Sequence, residues 1–193
     1  MSTLTAPSDT PPVRLHRWTR AEYERMVEAG ALRPDARLEL IAGEIVERMS
    51  PQGSRHATTV QLVAAALRRT FEAGFDVRVQ LPIALGERSE PEPDVYVVRG
   101  ATLDYLDAHP TEAVLLVEVS DATLALDRTV KLAVYAAAGV PEYWIANVPE
   151  ACLEVYRDPA GETYRSKTTL RAGATVAPTA QPDHAIPVAD LIP

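Results

Sequence analysis

The chain has 193 residues, 47% of them hydrophobic and 24% charged, with 16 Pro and 9 Gly, which is enough material for one ordinary globular domain with a single core. Lys plus Arg number 19 against 27 Asp plus Glu, a net charge of −8, which excludes a generally basic nucleic-acid coat and a cationic membrane-surface helix and leaves room only for local contacts to nucleic acid. The single cysteine, Cys152, excludes an intramolecular disulfide and a Cys-rich zinc site and points to a reducing cytoplasm, and no apolar run is long enough to cross a bilayer.

Residues 1–14, rich in Ser, Thr and Pro, read as a disordered leader rather than a signal peptide, and 15–193 as one domain. Thr19 followed by Glu22 is a capping-box pattern that predicts a short helix ending at Gly30. Residues 37–49 alternate apolar and polar side chains on both sides of Ala42-Gly43, the pattern of a β-hairpin turning there. Val60, Val63, Ala64, Leu67 and Phe71 recur at helical spacing and predict a long helix over 55–73, stopped by Gly74.

Strands are predicted over 77–85, 94–98 and 113–119, the last a continuous apolar run that marks the centre of a sheet covered on both faces. A second helix, 125–138, carries Val130, Ala133, Val134 and Ala137 on one stripe, which predicts that this stripe faces the core. Antiparallel strands are expected over 142–146, 152–156 and 163–168, broken by turns at 147–149 and 158–161. This order fits an α/β fold, a mixed β-sheet flanked by helices, better than a repeating β-α-β wheel.

Glu118 ends the apolar run at 113–117 on the face shared by Val114 and Leu116. A carboxylate buried there needs a partner or a metal; if the strand simply surfaces at Glu118, it needs neither. Asp94 enters the preceding strand behind Glu90-Pro91-Glu92-Pro93, whose prolines hold the approach extended. If the two strands are neighbours, Asp94 and Glu118 converge as an Mg²⁺-type pair of oxygen ligands; alone, Asp94 reads as a turn residue.

Lys131 stands out because the chain's other lysine is Lys167 and every remaining cation is Arg. A compact ammonium suits a developing phosphorane, although Asp127 and Lys131 at i and i+4 also make an ordinary solvated helix pair. Glu39, between Leu38 and Leu40, and His56, four residues before Val60, complete a pocket only if they face the two acids; otherwise they read as a surface charge and a helix-start histidine. No glycine-rich phosphate loop, Gly-x-Ser-x-Gly elbow or His-Glu-x-x-His motif is present.

Read together and in order, the stretches around Leu38-Glu39-Leu40-Ile41-Ala42-Gly43-Glu44, Met49-Ser50-Pro51 with His56, Glu90-Pro91-Glu92-Pro93-Asp94, Val117-Glu118-Val119-Ser120, Asp127-Arg128 with Lys131, and Tyr135 through Gly139-Val140-Pro141-Glu142-Tyr143-Trp144-Ile145 resemble the Uma-two family of the PD-(D/E)XK restriction-endonuclease-like superfamily. The resemblance implies a restriction-endonuclease-like sheet and an Mg²⁺-dependent endonuclease, with Mn²⁺ as a substitute, acting in the cytoplasm on nucleic acid, DNA before RNA. It implies that Asp94, Glu118 and Lys131 are catalytic, that Asp94, Glu118 and Glu39 hold the metal, and that His56, Gln80 and Asp127 support them. Ser120 stands where the superfamily has its lysine, and the resemblance implies that Lys131 takes that place.

An inactive binding or adaptor module on the same fold is the competing reading. Residues 140–144 are a candidate homodimer contact. Arg68-Arg69 and Arg165 with Lys167 are candidate docking cations.

Overall fold

Thr19 opens the first helix, as its spacing to Glu22 predicts. In the computed structural model, which describes residues 15–33, 35–47 and 53–193, α1 (Arg20–Glu28) has both hydrogen bonds of the capping box. The leader 1–14 and the Met49-Ser50-Pro51 stretch lie outside the described residues. The hairpin is β1 (Leu38–Ile41) with β2 (Glu44–Glu47). Its turn residues Ala42 and Gly43 have φ of 51° and 80°, as a two-residue type I′ turn requires. A side chain at Gly43 would meet Arg17 Cβ at 3.0 Å and Trp18 O at 3.2 Å, so the hairpin turn is packed against the entry to α1.

A six-stranded sheet runs in sequence order through β3 (Phe75–Val79), β4 (Val95–Arg99), β5 (Leu115–Ser120), β6 (Glu142–Asn147), β7 (Cys152–Ala160) and β8 (Thr163–Arg171). Its pairs are antiparallel except β5 with β6, which run parallel. The small pair β9 (Thr175–Val176) and β10 (Ile186–Pro187) closes the C-terminal end.

Each sheet face carries its own apolar cluster. Helix α2 (Ser54–Thr70) lays Val60, Val63 and Leu67 on one face against Val95, Val97, Val117 and Trp144, together with the C-terminal Val188 and Leu191. The opposite face holds Tyr96, Leu116, Tyr135, Tyr143 and Ile145. The alternation that separates these two sets along β4 and β5 is the two-residue period of a strand.

Several element boundaries differ from the sequence expectation. Helix α2 stops at Thr70 because Phe71 turns extended, with φ −103° and ψ 98°. Strand β3 ends at Val79, not 85, because Gln80 takes a φ of 50° and the chain leaves the sheet. Strand β5 begins at Leu115 and runs on through Ser120, so it does not surface at Glu118. Strands β7 and β8 are longer than expected, and their turn lies at residues 161–162 rather than 158–161.

The second long helix is the larger correction. It is three consecutive pieces: α3 (Leu124–Leu126), a π-helical turn (Asp127–Lys131) and α4 (Leu132–Ala137). The stripe expected to face the core does so only in part: Val130 and Ala137 are exposed, Ala133 and Val134 are half-buried with Val134 packed on the core cluster, and Asp127, Lys131, Tyr135 and Ala136 are the buried positions. The polar face turns inward because Glu118 lies beneath it and needs donors, which an apolar stripe cannot supply. Tyr143 and Trp144 are fully buried, so the proposed homodimer contact at 140–144 is interior structure instead.

Candidate functional site

Strands β4 and β5 bring the two acids together. Val95 pairs with Val117 in their antiparallel register, and one step further sets Asp94 opposite Glu118. Both residues alternate in phase with Tyr96 and Leu116, which belong to the cluster beneath α4. Asp94 and Glu118 are each 1% exposed.

The loop behind β3 fixes Asp94. The Gln80 amide nitrogen donates to the carbonyls of Pro93 and Asp94, each at 3.2 Å, and its side-chain Nε2 donates to Asp94 Oδ1 at 3.2 Å. The left-handed backbone at Gln80 therefore lets one residue hold both the strand entry and the carboxylate. Asp94 Oδ2 accepts from the Val119 amide at 2.9 Å, and His56 Nε2, from the first turn of α2, lies 3.3 Å from Oδ1. Gln80 and His56 thus both meet Asp94.

Glu118 is held from the helix side. Lys131 Nζ donates to Glu118 Oε1 at 2.9 Å, and the Tyr135 hydroxyl donates to the same oxygen at 2.6 Å. Lys131 Nζ is also 3.2 Å from Glu39 Oε2 and is itself 1% exposed. The π turn widens the helix where it crosses the end of β5, a place where such turns commonly mark functional sites.

Glu39 reaches the cluster because the hairpin is tied to the proline-rich approach of Asp94. Glu90 N donates to Leu40 O at 2.7 Å, Gly43 N to Arg88 O at 2.7 Å, and Glu92 N to Glu39 Oε2 at 3.3 Å. Glu39 is buried and is not the surface charge of the alternative reading.

Asp127 is buried too, so the solvated Asp127–Lys131 helix pair does not exist. Its Oδ2 accepts from Ser120 Oγ at 2.5 Å and Thr123 Oγ1 at 2.7 Å, and its carbonyl accepts from Tyr143 at 3.1 Å. It pins the start of the helical segment to the end of β5, and Ser120 serves that junction.

The sequence reading gave Tyr135 no role in the site. Its signal was available: it follows Asp127 and Lys131 at four-residue spacing on one helix face. Burial and the neighbouring Glu118 push its hydroxyl well above the ordinary tyrosine range, so it acts as a neutral donor.

A second polar network was also missed. Buried Glu154 on β7 accepts from Arg128 Nε at 3.0 Å, Tyr156 at 2.6 Å and Asn147 at 3.3 Å, and pairs with Lys167 at 2.8 Å. It anchors the π turn through Arg128, and Lys167 is thereby engaged in an internal ion pair.

Three carboxylates, one ammonium and one imidazole therefore share a buried site built from β1, β4, β5, α2 and the π turn. Its oxygen donors suit a hard cation such as Mg²⁺, which takes one or two carboxylates and keeps water or phosphate in its other positions. Among the described residues no group of three or more Asp, Glu, His or Cys side chains is placed to hold a metal ion, and Lys131 Nζ lies between Glu118 and Glu39.

The Uma2 family model, described as "Putative restriction endonuclease", matches residues 20–189. Among solved structures, the chain is similar to that of "a putative nuclease belonging to DUF820" from Anabaena variabilis ATCC 29413. The TM-score is 0.68 at 16% identity, covering 90% of this chain and 96% of that one, so the two share a fold. No curated protein matches the chain. No helix among the described residues is long and apolar enough to cross a membrane.

Proposed function

The chain belongs to the Uma2 family, and on that premise we propose that it is a metal-dependent endonuclease that hydrolyses phosphodiester bonds of nucleic acid, DNA before RNA, in the cytoplasm. The observation that carries this reading is the meeting of Lys131 with Glu118, at 2.9 Å, beside an Asp94 in neighbouring register. These would be the two acids and the lysine of a PD-(D/E)XK site, with the lysine delivered by the helix after β5.

Asp94 and Glu118 would hold Mg²⁺ or Mn²⁺, with Glu39 as an accessory carboxylate. That ion supplies a bound water of lowered pKa and neutralises charge on the scissile phosphate. Gln80 and His56 fix the Asp94 carboxylate, so its orientation is set before substrate arrives. Tyr135 holds Glu118 Oε1 by a proton that it does not give up, and Lys131 presents ammonium hydrogens to the attacked phosphate or its water. The approach of nucleic acid to this acidic chain would be strongly salt-sensitive.

A plasmid-nicking and single-strand cleavage assay with Mg²⁺ or Mn²⁺ tests the proposal. Asp94→Asn and Lys131→Met are expected to lower cleavage at least a hundredfold, and undiminished cleavage by either variant would sink the assignment.

One observation favours the second reading, an inactive binding module. Asp94, Glu118 and Lys131 are each 1% exposed, so the site is closed over by the chain itself. Thermal shift separates the two readings. Stabilisation by Mg²⁺ or Mn²⁺ that disappears in Glu118→Gln supports a working site, and the absence of any shift together with the absence of cleavage supports the module.

A further inference from the structure

On the far side of the proline-rich approach, away from the acid–lysine cluster, a cleft of about 570 Å³ opens between α1 and the loop that follows the 3-10 turn Thr102–Tyr105. Glu90 forms part of its wall. Its side chain is 9% exposed, and its Oε2 accepts no hydrogen bond from the protein. Arg20 meets it by charge only: its Nε stands 4.0 Å away, beyond hydrogen-bond reach, and 3.3 Å from Glu24 Oε1.

Leaving a buried carboxylate oxygen without a donor is costly, and such a group aimed into an accessible cleft points to a donor brought by something else. The charge of that donor follows from the walls. Glu24, Glu28, Glu90 and Asp107 outnumber the guanidinium of Arg20 and the imidazole of His109. The rim is apolar in addition: Val27 is 53% exposed and Leu106 77%. Leu103 is 80% exposed on the same 3-10 turn. Large exposed aliphatic side chains grouped around a polar recess mark protein contact surfaces.

We propose that this cleft docks a lysine-bearing peptide segment of a partner protein, its ammonium donating to Glu90 and Glu24 and its flanking apolar side chains covering Val27 and Leu106. A free polyamine would satisfy the charge but leave the three exposed aliphatic side chains largely uncovered. The site is independent of the nuclease reading, since none of the acid–lysine residues lines it. Glu90 nevertheless belongs to the backbone that holds Leu40 beside Glu39, so an occupant would bear on a segment that supports the other site.

The test uses the full chain and a fluorescein-labelled decapeptide of alternating Leu and Lys, with anisotropy for affinity and backbone amide shifts for location. Binding is expected to perturb amides within 20–28 and 103–109 and to weaken at least tenfold in Glu90→Gln. Leu106→Asp, an exposed change that leaves folding intact, is expected to weaken it similarly. The proposal is overturned if the peptide does not bind, if both variants bind it undiminished, if a Leu-Glu peptide binds equally well, or if the shifts lie elsewhere. Displacement by spermidine at concentrations comparable to the peptide's own would overturn the peptide in favour of a small polyamine.

Discussion

Lys131 Nζ stands 2.9 Å from Glu118 Oε1, and it also reaches Glu39 on a separate hairpin at 3.2 Å. One ammonium therefore balances two buried carboxylates. Lys131→Met would leave both without it and is expected to cost about 3–5 kcal/mol of stability by urea denaturation. Adding Glu118→Gln to that variant removes one of the stranded charges and is expected to restore a large part of the loss without restoring cleavage. If stability and cleavage returned together, the lysine would be a fold element only.

Tyr135→Phe deletes a hydroxyl that donates at 2.6 Å to a charged acceptor while leaving the aromatic packing on Tyr143 in place. The expected cost is about 1.5–3 kcal/mol, the range for hydrogen bonds to charged groups. Equilibrium urea unfolding of the two proteins measures it. A neutral result would mean that Lys131 alone suffices to hold Glu118.

Glu154 makes a prediction in acid. Burial alone would raise its carboxyl, but hydrogen bonds from Arg128, Lys167, Tyr156 and Asn147 outweigh burial and hold it down at about 2. Its folded value lies below the ordinary 4.5, so the stabilisation is present above pH 4.5 and is lost as pH falls toward 2. Because Arg128 and Lys167 are partly exposed, screening reduces the effect, and Glu154→Gln is expected to lose about 1–3 kcal/mol at pH 7. Chemical denaturation at pH 7, 4 and 2.5 should show the difference between the two proteins shrinking as pH falls.

Glu90 behaves in the opposite sense. Burial, and then the neighbouring Glu24, push its carboxyl up to about 7 against the pull of Arg20. Between pH 4.5 and 7 the folded chain keeps a proton that the unfolded chain has lost, so stability falls as pH rises through that window. Glu90→Gln removes the penalty. Its melting temperature should rise relative to the parent protein between pH 5 and pH 8, by an amount equivalent to about 1–3 kcal/mol. A constant difference across that range would contradict the burial of an ionisable Glu90.

The hairpin, the capped first helix and the buried β5 run were legible because local rules decide them: turn residues with positive φ, a cap at fixed spacing, an unbroken apolar stretch. Asp94, Glu118 and Lys131 were legible as a set because a strand entry, a strand end and a scarce lysine each stood out. The face of the helical segment was misread. Periodicity ranked the Val130 stripe as interior on hydropathy alone, whereas the partner surface, a glutamate on the sheet, selected the polar face instead. The Glu154 network and the Glu90 cleft were invisible for a related reason. Both depend on which strands and loops lie side by side, and no spacing within one element carries that information.

The lone parallel pair in the sheet has a kinetic meaning. The β6–β7–β8 meander closes through short local turns, but β5 can join β6 only after the chain from 121 to 141 has looped across, and that crossover is the segment carrying Lys131. Loop closure of this kind precedes any reward from the contacts it permits, so it lags behind hairpin formation. The segment carrying Lys131 is thus the sheet's longest connection, and its placement over β5 accompanies the one parallel pairing. Partly folded chains are expected to present a finished β6–β7–β8 meander before β5 and the segment after it join the sheet.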